Sequence, residues 1–288
     1  MELSRRNFVK AAAGAAGLLL LKPAASVLAR ESRSENSLAM LIDVTKCVSC
    51  WWCYAACKEY NRLPETIMPD PANPPSLSPD VWTTLKPMKV NEEWHSRKQA
   101  CNHCTEAACV EVCPTGALSY NELGFVQYDI DRCSGCGYCA EFCPYGVPQV
   151  ENNRVTGLTV MNKCTFCKDR VTNGEQTACA DACTTGAIRF GNREELVEEG
   201  KERVASLSKT NSKAELYGDK ELGGLHIMYV LDDSPKVYGL PNVPEVPAST
   251  TVRSVLSWLG IGLTAVAIAG FSLNYLVARL RMAKGEKE

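Results

Sequence analysis

The sequence predicts an α+β protein: a duplicated body held by cysteine ligands, followed by one helix able to cross a membrane. Three observations predict it. Sixteen of the 288 residues are cysteine, and all lie between Cys47 and Cys183. The phrases around them repeat, which marks a duplicated supersecondary unit. Near the end, Val255 to Ala278 carries no charged residue and is long enough to span a bilayer as a helix.

The chain opens with an export signal over residues 1–29. SRRNFVK (Ser4 to Lys10) precedes an apolar run from Ala11 to Leu21, and small residues at Val27 and Ala29 suit cleavage after Ala29. Arg5 and Arg6, with Phe8 and Lys10, point to the twin-arginine route. That route carries folded proteins, so it suits a chain that must be loaded with cofactor before export.

Residues 30–190 form the cysteine-bearing body. MLIDVTKCVSC (Met40 to Cys50) matches VQYDIDRCSGC (Val126 to Cys136): a strand-like alternation, then Asp43 or Asp129, a basic residue and Cys-x-x-Cys. CPTGAL at Cys113 is echoed by CTTGAI at Cys183, each predicting a turn at Gly116 or Gly186 and then an apolar strand. Residues 58–100 form an insertion with seven prolines, from Pro64 to Pro87, and no hydrophobic period, which predicts a long surface loop.

Residues 191–250 form an extension and linker. Asn192 and Glu195 stand in capping-box spacing at the start of a helix, and His226 to Leu231 reads as a strand. The membrane helix is expected over 252–280, with Trp258 and Tyr275 near its ends as interfacial anchors. Arg279, Arg281 and Lys284 follow it, against Arg253 before it. The positive-inside rule then leaves residues 281–288 as a cytoplasmic tail and the body on the periplasmic side.

Four motifs of four cysteines carry the chemistry. Cys47, Cys50, Cys53 and Cys57 follow C-x2-C-x2-C-x3-C, as do Cys133, Cys136, Cys139 and Cys143. Cys101, Cys104, Cys109 and Cys113 have a four-residue middle gap, and Cys164, Cys167, Cys179 and Cys183 an eleven-residue one. The first pattern is the ligand run of bacterial iron–sulfur proteins, in which three thiolates bind one cubane and the fourth reaches the neighbouring cluster. The sixteen cysteines therefore predict four [4Fe–4S] clusters with none left over. Zinc sites use pairs of Cys-x-x-Cys rather than a triple with a trailing Cys-Pro. Disulfides between residues this close in a tight loop are strained.

Lys46, Arg132 and Lys163 each stand just before the first cysteine of a motif. A cubane with four thiolates is a net anion, so a nearby cation raises its potential; solvated turn residues are the alternative. His103, inside Cys101-x-x-Cys104, is expected to pack or to face solvent rather than to donate to a cluster sulfur. Net charge is −2, with no basic and aromatic interleaving to suggest nucleic acid. No dinucleotide loop, P-loop or nucleophile elbow is present, so no catalytic centre is expected.

Taken together, the four motifs in this order, the twin-arginine signal and the C-terminal helix resemble the four-cluster iron–sulfur β subunits of membrane-bound respiratory oxidoreductases. GGLHIMYVLDDSPKVYGLP (Gly223 to Pro241) is similar to the formate dehydrogenase subunit, while RNFVKAA and FGNREELVEEGKERV resemble the [NiFe] hydrogenase subunit. The resemblance covers nearly the whole chain and implies two interleaved ferredoxin-like domains, the first motif pairing with the fourth and the second with the third. It implies a first cluster on Cys47, Cys50, Cys53 and Cys183, and a second on Cys57, Cys164, Cys167 and Cys179. A third falls on Cys101, Cys104, Cys109 and Cys143, and a fourth on Cys113, Cys133, Cys136 and Cys139. Cys57 and Cys183 lack the proline that follows Cys113 and Cys143, which weakens the expected turn geometry there.

The implied partners are a molybdenum or tungsten formate dehydrogenase subunit near the first cluster and a membrane cytochrome b or quinone-linked subunit near the fourth. A hydrogenase subunit, or a stand-alone membrane-tethered ferredoxin, is the alternative. Trp51 and Trp52 lie on the ligand loop of the first cluster. Shielding of a cubane is their first reading, and contact with the catalytic partner the sharper one.

Overall fold

The computed structural model describes residues 36–64, 68–90, 92–152, 159–245 and 248–285; the expected export signal lies outside them. In chain order the strands are β1 (Leu38–Asp43), β2 (Thr84–Val90), β3 (Glu93–Gln99), β4 (Leu118–Tyr120) and β5 (Val126–Tyr128). They continue with β6 (Gln149–Asn152), β7 (Thr159–Asn162), β8 (Ile188–Asn192), β9 (Glu215–Tyr217) and β10 (Ile227–Leu231). The helices are α1 (Trp52–Tyr60), α2 (Ala108–Glu111), α3 (Tyr138–Glu141), α4 (Lys168–Thr172), α5 (Ala178–Asp181), α6 (Arg193–Leu207) and α7 (Ala248–Gly285).

The repeated phrase folds twice in the same way. Asp43 ends β1 and its carboxylate accepts the Thr45 N–H, capping a 3-10 turn over Val44–Lys46 that delivers Cys47. Asp129 follows β5 and accepts the Asp131 N–H, capping Ile130–Arg132 ahead of Cys133. An aspartate there answers the orphan donors at the start of the turn. The second repeat is equally faithful: Gly116 and Gly186 both have φ near +63°, and β4 and β8 follow. The missing proline after Cys183 leaves that turn intact, whereas Cys57 lies inside α1 and no such turn follows it.

Strand pairing nests the two repeats. β1 pairs antiparallel with β8, and α1 packs against α5. Between them in sequence, β4 pairs with β5 and α2 packs against α3. β1 also pairs in parallel with β10, and β9 closes a sheet of order β8-β1-β10-β9. All five residues of β10 are buried, as its continuous apolar run requires for a strand covered on both faces. Met228 and Val230 pack with Leu196 and Val197 of α6, while Ile227, Tyr229 and Leu231 face the main core. Asn192 caps α6 by accepting the N–H groups of Glu194 and Glu195.

One expectation is corrected. The proline-rich insertion carries a regular antiparallel hairpin, β2–β3, in which Leu85 stands opposite Lys98 and Pro87 opposite Ser96. Its inward residues include Ser96, Arg97 and Lys98, so no apolar alternation marks it in the sequence. Arg97 donates from Nε to the Tyr238 carbonyl at 2.7 Å, and Ser96 meets Ser49 Oγ to Oγ at 2.7 Å.

Gly124 is a close-approach point. Its φ is +95°, and a Cβ there would lie 2.3 Å from Cε1 of His226, whose Nδ1 stands 2.7 Å from the Leu38 carbonyl. Gly124→Ala combines left-handed strain with that overlap, so a loss of about 2–4 kcal/mol is expected. Thermal unfolding of the loaded protein checks it; an unchanged midpoint contradicts the packing described.

Arg33–Thr250 forms one compact unit, and the segment from Thr251 belongs to another. Within α7, Gly262–Arg279 is long and apolar enough to cross a membrane. Leu263, Ile268, Phe271 and Tyr275 are exposed along it.

Candidate metal centres

Each motif opens with the same local backbone. Two residues after its first cysteine stands a left-handed residue: Ser49 (φ 56°), His103 (φ 48°), Gly135 (φ 67°) and Phe166 (φ 61°). That turn aims its N–H back at the first sulfur: Gly135 to Cys133 at 3.4 Å, Phe166 to Cys164 at 3.5 Å, with Ser49 and His103 donating likewise to Cys47 and Cys101. Donors directed at sulfur favour thiolate over thiol. The four residue types share no pattern, so the sequence did not reveal this turn.

Two cavities are ringed by complete sets of four cysteines. One is lined by Cys57, Cys164, Cys167 and Cys179; the other by Cys47, Cys50, Cys53 and Cys183. Cys104 interacts electrostatically with Cys101, Cys109 and Cys143, and Cys139 with Cys133, Cys136 and Cys113. Across the motifs, Cys53 also interacts electrostatically with Cys179, Cys164 with Cys101, and Cys109 with Cys139. Among the described residues, no three His, Cys, Asp or Glu side chains converge as a single ion would require.

Burial is the main force on these thiols. It pushes Cys53 and Cys167 up to about 12, with neighbouring sulfurs adding to the effect. Cys57 and Cys104 are raised well above the ordinary thiol value for the same reasons. Such groups become thiolates only when a cationic centre replaces the lost water. Cys113 moves the other way: burial raises it, but N–H groups of Leu118, Thr115 and Ala117 and the Thr115 hydroxyl outweigh that and lower it.

The residues present fit iron–sulfur clusters. Trp51 lines the Cys47 cavity, is 4% exposed, and buries an Nε1 donor without a partner among the described residues. A cluster sulfur is the kind of acceptor such a donor lacks. Trp51 also holds φ 64°, the place that Gly137 fills in the repeat. Trp52 next to it is 54% exposed and Val48 is exposed as well.

The other named residues divide. Lys163 is buried, donates to the carbonyls of Val126 and Cys164 at 3.1 and 3.0 Å, and favours the thiolates of Cys101, Cys109 and Cys143. Lys46 is exposed and sits 3.7 Å from Asp43, which Arg203 also holds at 2.8 Å. Arg132 is exposed and donates to the Thr115 carbonyl at 3.0 Å. His103 packs between Phe125 and Phe166, its Nδ1 donating to the Val126 carbonyl at 3.1 Å. Burial, with Lys163 nearby, holds His103 well below its usual value, and its buried Nε2 has no partner among the described residues. Of the two roles expected for it, packing and solvent exposure, the structure shows the first.

Sequence reasoning missed Lys98. It is 2% exposed and lines both complete cavities. Burial opposes its charge, yet Cys179, Cys164 and Cys53 prevail and raise its pKa. A signal existed: three motifs carry a cation immediately before their first cysteine, and the Cys101 motif has Ala100 there, with Lys98 two positions earlier.

Two family profiles, each described as a 4Fe–4S dicluster domain, match residues 46–117 and 92–193. The formate dehydrogenase iron–sulfur subunit of Haemophilus influenzae is 40% identical, covering 90% of this chain and 85% of its own. The formate dehydrogenase-O iron–sulfur subunit of Escherichia coli is 39% identical, covering 84% and 81%. The hydrogenase-2 operon protein HybA of Escherichia coli O157:H7 is 32% identical, covering 96% and 95%. The dicluster profiles and the sixteen cysteines support four [4Fe–4S] clusters as the cofactors.

Proposed function

Because this chain belongs to the family of formate dehydrogenase iron–sulfur subunits, built from 4Fe–4S dicluster domains, we propose that it relays electrons from a catalytic subunit to the membrane. Bound [4Fe–4S] clusters supply reversible one-electron transfer. The chain's own residues hold, space and shield them.

The ligand sets are those of two interleaved ferredoxin-like domains: Cys47, Cys50, Cys53 and Cys183 for the first cluster, then Cys57, Cys164, Cys167 and Cys179. Cys101, Cys104, Cys109 and Cys143 hold the third, and Cys113, Cys133, Cys136 and Cys139 the fourth. The observation that carries this reading is the pair of cavities, each lined by one full set drawn from two motifs far apart in sequence. The couplings from set to set support a single file from the Cys47 set to the Cys113 set.

The Cys47 set faces the catalytic subunit, a molybdenum or tungsten formate dehydrogenase, with exposed Trp52 and Val48 at the contact. The Cys113 set, whose Cys136 is exposed, faces a cytochrome b or other quinone-linked subunit. Helix α7 anchors the chain, with the body periplasmic after twin-arginine export and the C-terminus cytoplasmic. Lys163 tunes the third cluster, while Lys46 and Arg132, both exposed, act more weakly.

Purification of the native complex in mild detergent tests this function. Molybdenum or tungsten, with about sixteen irons per copy of this chain, is the expected result. Nickel would point to the hydrogenase reading, for which the match to HybA speaks. A chain that purifies alone would be a tethered ferredoxin, and about four irons would end the four-cluster reading.

A further inference from the structure

Lys98 lines the cavity of the Cys47 set and the cavity of the Cys57 set, and no other residue is common to both linings. It reaches that place from β3, whose register sets it opposite Leu85, itself 2% exposed. The strand is pinned there: the Tyr229 hydroxyl donates to the Lys98 carbonyl at 3.1 Å and to Asn102 Oδ1 at 3.2 Å. Ser96, on the same face, is held by Ser49 of the Cys47 loop at 2.7 Å.

A lysine 2% exposed is strongly disfavoured unless a counter-charge is close. Among the described residues no carboxylate forms an ion pair with it. Its strongest ionisable neighbours are Cys179, Cys164 and Cys53, drawn from both sets. Lys163 differs, because two carbonyls satisfy it and its sulfur neighbours include Cys101, Cys109 and Cys143.

We infer that Lys98 is a counterion shared by the first and second clusters, a positioning residue that raises both potentials together. Each centre gains one negative charge when it takes up one electron, with no bond made or broken. A fixed cation between the two favours the reduced form of each. It also offsets the repulsion between two reduced neighbours.

The inference rests on the ligand sets proposed above, and the test separates the two. In the native complex, Cys53→Ser and Cys57→Ser first identify which EPR signals belong to the two sets. If both variants abolish the same signal, the ligand reading fails and the inference with it. If the signals differ, redox-poised EPR is run on Lys98→Met and Lys98→Arg. The expected result is a fall in both identified midpoints for Lys98→Met, about tenfold in the reduced-to-oxidised ratio at fixed potential, or about 59 mV for one electron. The other two midpoints stay, and Lys98→Arg stays near the wild type. No shift in either identified signal, or an equal shift in all four, overturns the inference. Should Lys98→Met lose iron, Lys98→Gln is read in the same way. Loss of iron in both neutral variants, with retention in Lys98→Arg, supports the shared counterion. Loss in Lys98→Arg as well shows that shape, not charge, matters there, and overturns it.

Discussion

Cys53→Ser and Cys57→Ser, changes four positions apart on one helix, are expected to abolish two different EPR signals. Cys53 lines one cavity with Cys47, Cys50 and Cys183; Cys57 lines the other with Cys164, Cys167 and Cys179. Both thiols are buried and raised by that burial, so each depends on a metal centre to become a ligand. A serine hydroxyl is far harder to deprotonate and binds iron weakly, so each variant is expected to fall from about sixteen irons to about twelve. Iron analysis with EPR of the reduced complex checks both. Loss of one common signal would mean that the first motif serves a single cluster and that the nested pairing has no functional counterpart. Retention of about sixteen irons in either variant would remove that cysteine from the ligand set.

Trp51→Ala and Trp52→Ala are expected to fail in opposite ways. Trp51 is buried against Tyr54, edge to face at 5.8 Å, and lines the Cys47 cavity. Removing its indole leaves a large void beside the ligands, at a cost of about 3–5 kcal/mol, and admits water. The expected result is loss of the first cluster's signal, with a lowered melting temperature. Trp52 leaves no such void, since more than half of it is already exposed. Trp52→Ala is expected to keep every cluster signal and to weaken the complex at least tenfold, within the range of an interfacial tryptophan. A Trp52→Ala complex that survives dilution like the wild type would remove Trp52 from the contact. A Trp51→Ala protein with its first signal intact would remove Trp51 from shielding. The two readings of the pair thus divide between its members.

The cysteine motifs were legible because ligand chemistry is local. Three thiolates on one loop need a fixed spacing, and Cys47, Cys50 and Cys53 display it without any tertiary contact. The aspartate caps at Asp43 and Asp129 and the cap of α6 at Asn192 were legible for the same reason, since a cap answers donors two or three residues away. The β2–β3 hairpin was not. Its core-facing residues Ser96 and Lys98 are polar, one meeting the Ser49 hydroxyl and the other lining the two cysteine-ringed cavities, so no hydrophobic alternation marks the strand. The four left-handed turns were equally hidden, because Ser49, His103 and Phe166 take a backbone that their residue types rarely adopt.

By itself the sequence determined the number of ligands, the repeat, and the helix able to cross a membrane. The tertiary structure decided which cysteines share a cavity. Pairing of β1 with β8 brings residues around Cys47 to Cys183, and pairing of β4 with β5 builds the apolar cluster against which Cys113 and Cys133 both pack. It also decided that β3, just before Cys101, carries the buried Lys98 into the lining of both cavities. The physical reason is range. Ligand spacing and caps act over a few residues, whereas a shared cavity and a buried charge depend on strands that meet only when the chain is folded.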